Sequence, residues 1–150
     1  MSKTLSILKD FILYVVILAT ILFGVPRFLS WYLETPYPIA AITSGSMWPE
    51  LREGDIIFIQ GNIEKSELGI GDVIVYRNKD GSTFTIHRIV ALGDDTLTTK
   101  GDANFDPDSP IEYEQVVGRT FNIFGKPLNI PYLGSITVAA SNMRGHKGDL

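Results

Sequence analysis

The chain has 150 residues, enough for one domain with an appendage, and no cysteine, which excludes disulfides, thiol catalysis and cysteine-based zinc sites. Thirteen lysines and arginines against seventeen acidic side chains leave a net charge of −4. With no basic stripe among them, a nucleic-acid partner is not expected.

Residues 1–33 differ in kind from the rest. Phe11 to Pro26, FILYVVILATILFGVP, carries no charge; Leu5, Ile7 and Leu8 extend it upstream, and FLSWYL extends it downstream past Arg27. A bilayer core takes about 20 predominantly apolar residues. Arg27 can snorkel to the surface, and Trp31 and Tyr32 suit the interface. The pattern predicts a transmembrane helix from about Leu5–Phe11 to Val25–Leu33. A buried core helix would show a polar face, which this stretch lacks. A cleaved secretory signal would show an A-x-A-like site, where this chain has Pro26, Arg27, Phe28 and Leu29. Lys3, Lys9 and the terminal amine lie on one flank and Arg27 on the other, so the N-terminus is expected in the cytoplasm and the bulk of the chain outside.

ETPYPIA (34–40) reads as a short linker, its prolines biasing it toward extended conformations. Residues 34–140 then read as one β-rich domain. DIIFIQ (55–60), DVIVYR (72–77), TFTIHRIVAL (83–92), TLTTK (96–100) and QVVGRTFNIF (115–124) are rich in β-branched and aromatic residues, with Gly, Asn and Asp at their ends. NKDG (78–81) and GDD (93–95) suit hairpin turns. The expected class is mostly β: a compact, barrel-like or folded sheet behind an N-terminal transmembrane helix. PYLGSITVAA (131–140) is too short to span a bilayer, and SNMRGHKGDL (141–150) reads as a solvated, mobile tail.

Without cysteine, covalent chemistry falls most naturally to a serine or threonine activated by a base. SGSMWPEL offers Ser44 and Ser46 on a tight turn. Of the two histidines, His146 sits in the polar tail and His87 in the best strand, where alternation puts Thr85, His87 and Ile89 on one face. KGDANFDPDSP supplies Asp102, Asp106 and Asp108. Each piece has a plainer reading: a turn, a structural strand histidine, a solvated acidic loop. Asp102, Asn104, Asp106 and Asp108 also resemble a calcium ladder, but Pro107 and Tyr113 stand where such a loop needs Gly and Glu. Together, serine, histidine and aspartate supply a nucleophile, a base and an orienter. Spacing alone does not show that they converge.

Those same segments resemble the type I signal peptidases, in particular the archaeal and endoplasmic-reticulum branch. SGSMWPEL is similar to the family's Ser-x-Ser-Met-x-Pro box, GDIIFI and GDVIVY to the strands after it, IHRIV to the box where bacterial relatives carry Lys-Arg, and KGDANFDPD to the Gly-Asp-x-Asn box. VVGR and PYLG complete the series. The resemblance implies Ser46 as nucleophile, His87 as base, Asp108 as its acidic partner, Asp102 as a second aspartate of the same site, and Ser44 in the oxyanion hole. It implies an extended substrate beside Ile39, Ile42, Thr85 and Ile86, with no cofactor and no metal. Histidine as a residue type titrates near 6.5, so it can act as base near neutrality without the burial a lysine would need. The implied activity is a membrane-bound serine endopeptidase cutting signal peptides from exported preproteins. It would work outside the cell membrane, or in the endoplasmic-reticulum membrane of a eukaryote, with the bilayer and the translocation machinery as neighbours. The competing expectation is a non-catalytic, membrane-anchored β domain serving assembly or binding.

Overall fold

The computed structural model describes residues 3–79 and 81–135. The expected mobile tail at 141–150, and the last five residues of PYLGSITVAA, lie outside them. The chain begins with one apolar helical rod: α1 (Lys3–Ala19), a π-helical turn over Thr20–Gly24, and α2 (Val25–Tyr32). The widened turn lies just ahead of Pro26, which has no N–H to give and whose ring crowds the carbonyl four residues back. Leu5–Tyr32 has 28 residues, its most apolar 18-residue window has a mean hydropathy of 2.2, and none of that window is buried against protein. A soluble core helix would be covered. At 1.5 Å per residue the rod is about 42 Å long, against a hydrocarbon core of about 30 Å. Phe28, Trp31 and Tyr32 gather at its far end, with ring centroids 5.9 and 6.1 Å apart. Just past that end Leu33 and Thr35 are already buried, with the Gly61 N–H after β2 donating to the Leu33 carbonyl at 2.8 Å.

The strands follow as β1 (Ile39–Ala41), β2 (Ile56–Gln60), β3 (Val73–Arg77), β4 (Phe84–Leu92), β5 (Thr96–Lys100), β6 (Ile111–Glu112), β7 (Val116–Thr120), β8 (Asn122–Ile123), β9 (Lys126–Pro127) and β10 (Asn129–Ile130). The main sheet is antiparallel, in the order β1-β2-β7-β3-β4-β5-β6, with β10 also on β2, and it curls into a half-barrel. Both faces are covered. Val73 and Val75 pack with Ile42, Met47, Leu51, Ile57 and Ile59, while Ile74 and Tyr76 pack with Leu68, Ile89, Leu97 and Ile111. That is why VIVY runs without polar alternation: each neighbour faces a different core.

ETPYPIA is more than a linker, because its end forms β1, paired from Ile39↔Phe58 to Ala41↔Ile56. Pro36 and Pro38 hid it. Proline is tolerated at a sheet edge, and β1 is an edge. The two expected hairpin turns close with Gly81 N–H on the Asn78 carbonyl (2.8 Å) and Gly93 N–H on the Thr96 carbonyl (2.8 Å).

Candidate active site

Ser46 is held by the residues on either side of it. Ile42 and Asp55 join by backbone across the start of the loop (2.8 Å), then Met47 and Leu51 plunge into the core with 1% and 0% exposure. Between these anchors the Trp48 N–H donates to Gly45 and the Leu51 N–H to Met47, making a tight turn with Ser46 at its outer side. The Ser46 carbonyl accepts the Ala103 N–H at 2.8 Å, which ties this turn to the acidic loop.

His87 is the buried residue of β4 nearest that turn, 8% exposed. Its Nε2 lies 3.1 Å from Ser46 Oγ and its Nδ1 lies 2.6 Å from Asp108 Oδ2. A carboxylate only accepts, so Nδ1 carries the proton and, in the neutral ring, Nε2 is left free to accept from the serine hydroxyl. Asp108 is itself fixed. Its N–H donates to the Thr99 carbonyl, and its Oδ2 also accepts the Thr99 hydroxyl at 2.7 Å and, more weakly, the Tyr76 hydroxyl at 3.4 Å. Burial, with the Asp108 charge adding to it, pushes the Tyr76 phenol above its ordinary value of 10 and keeps it a donor. Ser44 Oγ lies 3.2 Å from Ser46 Oγ.

Asp102 goes elsewhere. The resemblance put it in the same site, but its carboxylate accepts a fork from Arg88, Nε to Oδ1 at 2.8 Å and Nη2 to Oδ2 at 2.7 Å. Arg88 also reaches Glu50 at 2.7 Å and the Gly71 carbonyl at 2.8 Å. The Asp102 bond, with the carboxylate charges behind it, raises the guanidinium above its ordinary value, so it stays charged. By strand alternation Arg88 faces away from His87, so the clamp ties β4, the serine loop and the acidic loop together behind the imidazole. The calcium-like ladder is thereby divided, with Asp102 turned to Arg88 and Asp108 to His87 and Thr99.

Two adjoining hollows lie beside the serine. A cleft of about 310 Å³ is lined by Ile42, Ser44, Ser46, Met47, Thr85 and His87, among others. A second, of about 350 Å³, is lined by Ile39 and Ala41 on one side and Val117 on the other; Thr43, Phe84 and Ile86 border both. Ile39, Ile42, Thr85 and Ile86 therefore all face these hollows, although the Thr85 hydroxyl is already donated to Asn78 at 2.8 Å. Sequence reasoning missed Thr99, Tyr76, Arg88 and Glu50. Thr99 left one signal: it shares a strand face with buried Leu97 and is itself 0% exposed, a polar group at a core position.

A serine hydroxyl on an imidazole, itself on a fixed and partly buried carboxylate, is the arrangement that serine hydrolases use. Sequence similarity says which kind. The chain belongs to the signal peptidase family, peptidase S26, a family of serine proteases whose model matches residues 8–125, from inside the apolar helix through β8. It is similar to the signal peptidase complex catalytic subunit SEC11 of Fusarium vanettenii, 32% identical over 119 residues, covering 75% of this chain and 69% of that protein. The corresponding subunits of Verticillium alfalfae and Neurospora crassa are 31% and 30% identical over 125 residues, with the same coverage of both chains.

Proposed function

We infer that this chain is a membrane-anchored serine endopeptidase that removes signal peptides, with Ser46 as nucleophile, His87 as general base and Asp108 as its orienter. The observation that carries the reading is the continuous line Ser46 Oγ–His87 Nε2–Asp108, at 3.1 and 2.6 Å. As Ser46 Oγ attacks the scissile carbonyl, its proton passes to Nε2. The imidazolium that forms faces the Asp108 carboxylate, which Thr99 and Tyr76 hold in place. The same proton then goes to the leaving amine, and His87 activates the water that frees the acyl group from Ser46. The Ser46 N–H and the Ser44 hydroxyl are the donors proposed for the oxyanion, each such donor worth about 3 kcal/mol. The scheme calls for no cofactor.

The substrate's path follows from the two sheet margins. Backbone bonds from Ile42 to Asp55 and from Ile59 to Pro38 show that even-numbered residues of β1 face β2, which turns Ile39, Ala41 and Thr43 toward the hollows. On β4, the bonds Asn78 to Thr83 and Ile89 to Asp72 put odd-numbered residues toward β3 and turn Phe84 and Ile86 outward. β5 pairs only from Arg88 onward. A peptide laid between these margins gains strand bonds from both and runs parallel to both, toward Ser46. Its alternate side chains would enter the two hollows, where the family resemblance implies small residues. Family membership favours this reading over an anchored assembly module. The bilayer and the translocation machinery are the proposed neighbours, with the β domain on the outer face.

The test is processing of a preprotein by the detergent-solubilised full chain. Ser46→Ala and His87→Ala should each abolish cleavage, and Asp108→Asn should lower kcat about 10⁴-fold, as for other triads. Asp102→Asn should cost less and lower the melting temperature, since its partner is Arg88. Processing that survives Ser46→Ala overturns the reading. A larger loss in Asp102→Asn than in Asp108→Asn reverses the two aspartates.

A further inference from the structure

The channel between β1 and β4 has a far end, and two rings stand there. Tyr37 precedes β1 and Phe84 opens β4, so they come from opposite walls; their centroids are 5.3 Å apart and their planes tilted by 54°. The Arg77 guanidinium lies 5.6 Å from the Phe84 centroid. Both rings line the outer hollow, Phe84 reaching the serine cleft as well, yet they remain 44% and 46% exposed. Half-exposed rings contribute only part of their burial energy to the fold. Their surface is available to whatever fills the channel.

Distance along the strand says which part of a substrate that is. From His87 back to Phe84 is three residues, about 10 Å at the strand rise. An extended peptide lying parallel to β4 advances at the same rate. With the residue before the cut beside His87, the fourth residue before the cut comes level with Phe84. Tyr37, two residues ahead of Ile39, reaches the same level from the other wall. Three substrate residues therefore lie between the cut and the level of the ring pair, and the next stands beside it.

We propose that the Tyr37–Phe84 pair, with Arg77 against it, is a specificity element that receives the substrate side chain four or five residues before the cut and favours an apolar residue there over a cationic one. The inference rests on the proposed function, in which Ser46 is the nucleophile and the channel is the substrate's path. The rings offer apolar surface from both sides. Arg77 already occupies a cation position over Phe84, and a substrate lysine entering the apolar hollow gives up its water with no carboxylate lining it. Arg77, Lys79, Glu112 and Glu114 share a groove beyond Tyr37, and none of the four lines the hollow itself. The signal-peptide chemistry that fits is an apolar segment reaching to within four or five residues of the cleavage point.

The experiment uses the full chain in detergent and preproteins that differ only at the fourth and fifth positions before the cut, carrying Leu, Gly or Lys. The wild type should prefer Leu to Lys by about tenfold in kcat/KM, the scale of one apolar contact. Tyr37→Ala with Phe84→Ala should bring the Leu–Gly ratio to within about twofold. Arg77→Gln should keep the preference for Leu over Gly and relax the rejection of Lys. If the double variant does not melt cooperatively, Tyr37→Ala alone and Arg77→Gln decide the matter. Equal use of Leu and Lys by the wild type, or a Leu preference unchanged in the ring variants, overturns the proposal. Ser46→Ala is run on the same substrates. Cleavage persisting there sinks the nucleophile assignment, whereas Ser46-dependent cleavage without discrimination sinks only the ring-pair proposal.

Discussion

A Cβ added at Gly101 would stand 2.8 Å from the Ser46 carbonyl oxygen and 2.7 Å from the Asn104 side-chain nitrogen, closer than real side-chain carbons come. The amide of Asn104 can swing away. The Ser46 carbonyl cannot, because it is bonded to the Ala103 N–H and its own residue is pinned by buried Met47. Relief would have to come from moving the serine, and so from stretching the 3.1 Å contact with His87. A misplacement of about 1 Å costs about 10²-fold in rate. Gly101→Ala should therefore lose about 10- to 100-fold in kcat. Its melting temperature should fall by a few degrees at most, read by steady-state cleavage beside thermal unfolding. Full activity in this variant would mean that the acidic loop yields instead of the serine.

At the level of elements, β4 does most of the positioning. One strand carries Ile86 on the wall of both hollows, His87 behind the serine and Arg88 in the clamp, and its alternation was readable from TFTIHRIV alone. The strands around it were readable too, β5 to the residue, because β-branched runs ended by Gly, Asn and Asp leave little choice. The pieces that could not be read were those whose pairing is decided by the rest of the fold. These were β1 behind its prolines and the two-residue strands β6, β9 and β10. The site divides the same way. Ser46, His87 and Asp108 could be nominated from residue type and from the resemblance. That Asp102 faces Arg88, and that Thr99 and Tyr76 hold Asp108, depends on contacts across 9 to 32 residues of chain. Because Ile86 borders both hollows, Ile86→Ala should join them and admit larger side chains at both substrate positions. Mapping the products of a randomised cleavage site by mass spectrometry checks this. An unchanged preference for small residues at both positions would remove Ile86 from the wall. The substitution should also cost about 2 kcal/mol of stability, the low end for a partly buried isoleucine.

For the molecule as a whole, the membrane changes what the site can meet. A helix of 28 residues is longer than the hydrocarbon core, and its aromatic end at Phe28, Trp31 and Tyr32 leads into Leu33 and Thr35, both packed into the β domain. The domain is thus held near the surface on the side where the helix ends, and a preprotein lodged in the same bilayer is confined with it. Confinement raises effective concentration without adding a contact. Which side that is depends on charge. Lys3 and Lys9 lie toward the start of the apolar stretch and Arg27 is the lone cation near its other end, a bias from which an inside N-terminus is predicted. The absence of cysteine makes this directly measurable. Lys79→Cys places one thiol on an exposed turn of the β domain, well away from the serine turn in sequence. In sealed, right-side-out vesicles a membrane-impermeant maleimide should label it fully before any permeabilisation, and inverted vesicles should protect it. Labelling confined to the inverted preparation would put the β domain on the cytoplasmic side, where an exported preprotein has not yet crossed and cleavage at the outer face could not occur.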